Sequence, residues 1–177
     1  MTKSRLEAFS DGVIAIVITI MVLELRVPDG ADLHALLAVA HEFAFYVLSF
    51  VYVGIYWSNH HHMLHATERV NGAVLWANLH LLFWLSLVPF VTRWIGETHM
   101  RAVPTAVYGV VMLAAAIAWF LLQTAIVRCN GPQSRLAVAV GRDRKGKASI
   151  AAYAAAIALS ALHPLASILV YVLVAAL

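Results

Sequence analysis

Arg5-Leu6-Glu7-Ala8-Phe9-Ser10-Asp11-Gly12-Val13-Ile14-Ala15-Ile16-Val17-Ile18-Thr19-Ile20-Met21-Val22-Leu23 decides how this chain folds. About 22 residues around this run, at ~1.5 Å each, reach roughly 33 Å, enough to cross a bilayer core. Ser4 and Glu7 stand at capping-box spacing, so a helix is expected to start at Ser4. Pro28-Asp29-Gly30 should stop it. Glu24-Leu25-Arg26-Val27-Pro28 offers no small-residue cleavage site, which favours a retained membrane helix over a signal peptide. An aspartate inside such a segment costs roughly 2.5–3.5 kcal/mol on insertion scales, so Asp11 should face protein or water and find a partner. At ~100° per residue, Ser10 and Asp11 fall opposite Arg5, Phe9, Gly12, Ile16, Thr19, Ile20 and Leu23. The helix has two faces with different surroundings.

The rest of the chain shares this character. Of 177 residues, 63% are hydrophobic and 12% charged, and the mean hydropathy is +0.84. Soluble domains run near ~45–50% apolar and ~25% charged, so a soluble enzyme or binding module is excluded. The reading is an all-α, polytopic integral membrane protein: one domain over residues 1–177 with six transmembrane helices per subunit. The expected spans are about 5–26, 40–62, 73–95, 102–127, 147–162 and 164–177. The last two are short for a ~30 Å core, so either the chain continues past residue 177 or these helices sit in a locally thinned bilayer. Leu162-His163-Pro164 marks the turn between them. The two halves share no aligned motif.

Charge sets the expected orientation. Lys+Arg number 12 and Asp+Glu 9, for a net charge of +3 and a pI near 9.2. Lys3, Arg5, Arg69, Arg128, Arg135, Arg142, Arg144, Lys145 and Lys147 fall on one side of the spans. Only Arg26, Arg93 and Arg101 fall on the other, which places both termini in the cytoplasm of a multi-pass cell-membrane protein. The basic excess therefore reads as topology and not as a nucleic-acid surface. The single cysteine, Cys129, excludes a disulfide framework and a cysteine metal cluster.

No nucleophile with a base at catalytic spacing appears, nor a phosphate-cradling glycine loop, so no enzyme and no catalytic residue is assigned. His60-His61-His62 and His65 include i,i+4 and i,i+3 pairs suited in spacing to a transition metal. The neighbouring carboxylate is Glu68 alone, and no metal site is assigned. The cluster nonetheless defines an alternative function, a small secondary transporter or metal carrier built on His60–His65. His80 reads as a core or packing histidine, and Trp76, Trp84 and Trp94 as packing and interfacial belt.

Arg5-x-x-x-Phe9-Ser10-Asp11, followed by Val13-x-Ala15-Ile16-x-Ile18-Thr19, resembles the signature of the transmembrane protein 175 family of endolysosomal potassium channels. The resemblance continues at Trp57-Ser58-Asn59-His60-His61, Asn78 and Pro89-Phe90, and covers about half of the chain by motif. It implies a homotetramer whose first helices surround a cation pore, with potassium as the permeant ion and no cofactor. It implies a structural polar network of Arg5, Phe9, Ser10, Asp11, Trp57, Asn78 and either His60 or His61. It also implies a pore constriction at Ile16, Ile20 and Leu23, with Thr19 as a selectivity hydroxyl ring. The physics agrees: a pore must form between subunits on a cyclic axis, and aliphatic rings close it by expelling water. Glu24, Asp29 and Asp32 should add to cation attraction at the helix end. No Thr-Val-Gly-Tyr-Gly segment occurs, so a carbonyl filter is absent.

Overall fold

The computed structural model describes residues 2–141 and 143–176, and among them every regular element is a helix. In order these are α1 (Lys3–Leu23), α2 (Leu33–Ala38), α3 (Ala40–His65), α4 (Gly72–Ser86), α5 (Val88–Glu97), α6 (Ala102–Asn130), α7 (Arg135–Val140), α8 (Arg144–Ser160) and α9 (Pro164–Ala175). Three helical stretches combine the length and apolar composition needed to cross a membrane: Lys3–Leu23, Gly72–Glu97 and Ala102–Asn130. At 26 residues α3 has the length, but it carries His41, Glu42, Asn59 and a histidine run. At 17 and 12 residues, α8 and α9 fall short of the ~20 that span a bilayer unaided. Arg142 and the expected end at residue 177 lie outside the described residues.

Local chemistry explains most boundaries. The expected capping box does not form: α1 begins at Lys3 after Thr2, with no side-chain cap, and Ser4 lies inside the helix. Glu7 instead faces Lys3 at 3.9 Å, an i,i+4 pair within the first turns. The helix also stops at Leu23, well before Pro28, with Glu24 as its C-cap. Asp32 caps α2 by accepting from the Ala35 N–H at 2.8 Å, and Asn71 caps α4 by accepting from Val74 at 3.0 Å. The third expected span is two helices, broken at Leu87. Pro89 lacks the N–H that would reach back to Leu85, so the ladder is interrupted there. Pro164 opens α9 after the expected turn, where a missing N–H costs nothing.

The longest helix, α6, runs through the centre of the bundle against α4, α5 and α8. Its Tyr108, Met112, Ala115, Ala118, Leu122 and Ile126 are fully buried. The alanines let neighbouring backbones approach closely, which is how membrane helices gain packing energy without a hydrophobic driving force between them. At Gly109 the approach is closest: an added Cβ would stand 2.1 Å from the Tyr171 hydroxyl and 2.8 Å from Ile157 Cγ1. Several buried hydroxyls are paired across helices. Thr92 bonds Ser49 at 2.7 Å, Ser49 bonds Tyr108 at 3.0 Å, and Tyr171 donates to the Thr105 carbonyl at 3.1 Å. Tyr52 donates to the Tyr171 carbonyl. Where no water competes, these partners tie α3, α5, α6 and α9 into one body.

Candidate functional site

Helix α1 packs on α3, α4 and α5 through Leu6, Ser10, Ile14, Val17 and Met21, a strict three-and-four stripe of buried residues. On the opposite side Phe9, Ile16, Ile20 and Leu23 are 47, 58, 41 and 80% exposed in the single chain. Gly12, Thr19 and Arg5 share that exposed side. The Thr19 hydroxyl donates to the Ile16 carbonyl at 2.9 Å, leaving only its oxygen lone pairs facing outward.

The buried side of α1 is locked by a directional relay. Asn78 of α4 donates its amide Nδ2 to Ser10 Oγ at 2.9 Å, and Ser10 donates to the Leu6 carbonyl at 2.8 Å. The Asn78 oxygen can then only accept, and His60 Nε2 of α3 lies 2.7 Å from it. Ser10, His60 and Asn78 are all buried, so three helices share one satisfied polar chain. Asp11 belongs to a second, more open contact, accepting from Trp57 Nε1 at 3.0 Å.

The other named residues lie elsewhere. His61 stacks between Trp57 and His65, at ring separations of 6.3 and 6.4 Å, and takes no part in the relay. Adjacent helix positions diverge by ~100°, so only one of His60 and His61 can face α4. Arg5 and Phe9 make no hydrogen bond or ion pair with the described residues; both lie on the exposed side. Among the described residues, no three His, Cys, Asp or Glu side chains gather in a metal-holding group. The histidines that share the metal-suited spacing run along one helix face and do not converge.

The expected cation-attracting acids are all partnered. Glu24 accepts from Arg93 Nη1 at 2.7 Å, Asp29 pairs with Arg26, and Asp32 is occupied as the α2 cap. Arg93 also donates from Nε to Glu97 at 2.8 Å. Its pairing with Glu97 was legible as an i,i+4 spacing, but the partner 69 residues away was not. A cavity of about 860 Å³ lies between α3, α6, α7, α8 and α9, and α1 lines none of it.

A bundle with an apolar exposed stripe on one helix and a buried polar lock behind it defines an all-helical membrane protein. Residues 5–89 match the family described as "Endosomal/lysosomal potassium channel TMEM175". A potassium channel of Chryseobacterium sp. is 51% identical over 175 residues, covering 99% of this chain and 91% of that protein. A potassium channel of Streptomyces collinus is 38% identical over 149 residues, covering 75% and 72%. The crystal structure of a lysosomal potassium-selective channel TMEM175 homolog from Chamaesiphon minutus superposes with a TM-score of 0.86 at 29% identity, covering 98% and 94%. The chain belongs to the TMEM175 family, whose members here are ion channels and not enzymes.

Proposed function

We propose that the protein is a passive, potassium-preferring cation channel whose pore is enclosed by the exposed stripe of α1 from four copies of the chain. The observation that carries this reading is the division of α1. One side is anchored by Ser10, Asn78 and His60, and the other leaves Ile16, Ile20 and Leu23 uncovered. The naming of the Chryseobacterium and Streptomyces relatives as potassium channels supports it. Rings of Ile16, Ile20 and Leu23 close the pore by dewetting, and Thr19 oxygens replace part of the hydration of a passing ion. The outward lone pairs of Thr19 suit that role, because its proton is engaged on α1. Arg5 and Phe9, exposed in the single chain and without a hydrogen bond or ion pair among the described residues, take partners from a neighbouring copy.

The reading counts α1, α3, the broken pair α4–α5, α6, α8 and α9 as six spans, and takes the short α8–α9 hairpin, which packs against α6, to sit in thinned bilayer. The uneven distribution of basic residues supports a cell-membrane orientation with both termini on the cytoplasmic side. No group of three His, Cys, Asp or Glu among the described residues supports the metal-carrier alternative.

Liposomes holding the purified full chain and a potassium gradient test the proposal. A proton ionophore balances charge, and quenching of a pH dye reports flux. Potassium should leave faster than sodium, without saturation and without a coupled proton. A demonstrated tetramer that passes no potassium, or flux that saturates and needs His61 and His65, refutes it.

A further inference from the structure

Past Met21 the end of α1 has little to hold it. Val22 and Leu23 are exposed, and the next residue, Glu24, is the helix C-cap. Among the described residues, the Glu24–Arg93 bond of 2.7 Å is the one side-chain hydrogen bond that joins residues 19–27 to another element. Arg93 stands on a rigid platform. Thr92 beside it is tied to Ser49 of α3 at 2.7 Å, Ile95 is fully buried, and Gly96 brings α5 against the Glu42 backbone. The guanidinium forks, with Nη1 on Glu24 and Nε on Glu97 at 2.8 Å. A lysine ammonium offers no such planar, preorganised fork. A positively charged group that faced the pore entrance for electrostatic reasons alone would need no carboxylate from its own helix to aim it.

We propose that Arg93 is a positioning residue of the pore: clamped by Glu97, it holds Glu24 and fixes the Leu23 end of α1, and so sets the width of the constriction and its discrimination between potassium and sodium. The inference rests on the channel reading above. Two roles must be separated, a mechanical strut and a local charge.

Arg93→Gln removes a positive charge and Glu24→Gln a negative one, while both break the strut. The full chain in liposomes is assayed for potassium-to-sodium flux ratio in about 1 M salt, where the Debye length is about 3 Å. Both variants should lower the ratio in the same direction, by about two- to four-fold, the scale of an exposed ion pair. Arg93→Lys keeps the charge and should lower it by a smaller factor. Ratios unchanged at high salt, or shifts of opposite sign, overturn the strut. A second readout needs no flux: Leu23→Cys copies are oxidised and inter-subunit disulfide formation is timed, with and without Glu24→Gln. A change of at least about two-fold in that rate is expected, and an unmoved rate overturns the inference. Where Arg93→Gln fails to assemble on size exclusion, Glu24→Gln and Arg93→Lys carry the test. An unmodified protein that carries no flux sinks the channel reading, while the cross-linking arm still judges the strut.

Discussion

Replacing Asn78 by Leu keeps the side-chain volume nearly constant and removes both hydrogen-bonding ends of the relay. Two bonds disappear, to Ser10 at 2.9 Å and to His60 at 2.7 Å. Hydrogen bonds between membrane helices average ~0.6 kcal/mol, which sets a floor of about 1 kcal/mol for the pair. The two survivors are not equivalent. Ser10 keeps its own bond to the Leu6 carbonyl, whereas His60 Nε2 is left buried without an acceptor. An orphaned buried donor costs ~1–3 kcal/mol, so the expected loss is about 1–3 kcal/mol, most of it on the His60 side. Equilibrium unfolding of the solubilised protein by detergent titration measures it. The double variant His60→Leu/Asn78→Leu, in which both partners become apolar, should recover about 1 kcal/mol relative to Asn78→Leu, since a matched apolar pair leaves no orphan. Ser10→Ala should cost less than Asn78→Leu. If Asn78→Leu unfolds like the unmodified protein, or the His60 and Asn78 losses simply add, the relay is not what locks α1.

Three further outcomes are expected. Gly109→Ala drives a Cβ to within 2.1 Å of the Tyr171 hydroxyl and should destabilise by about 1–3 kcal/mol or more; Tyr171→Phe should restore part of it, and a thermal scan showing no loss contradicts the packing at this crossing. Asp11→Ala and Trp57→Phe delete the same 3.0 Å bond, so their unfolding costs should overlap; fully additive losses would show that the contact is not formed in the membrane. Ile16→Ala, on the proposed pore face, should raise resting leak and lower potassium-over-sodium discrimination in bilayer recordings, and an unchanged conductance removes Ile16 from the constriction.

Membrane residence, helical character and the two faces of α1 were readable from the chain, because each depends on local quantities: transfer energy per residue and a 3.6-residue period. Ser10 is buried on the side the wheel gives it, opposite Ile16, Ile20 and Leu23, and the structure adds Leu6, Ile14, Val17 and Met21 to that stripe. Pro89 sat in plain view within the third span, yet whether α4–α5 would bend or break there depended on how neighbours re-pair the interrupted backbone. Tertiary structure alone decided that His60 and not His61 meets Asn78, and that Arg93 reaches Glu24 at the end of α1. These choices join residues far apart in the chain, and only the packing angle and depth of whole helices bring such side chains within 3 Å. Periodicity says which face a residue occupies; the partner on that face is set by the helix that packs there.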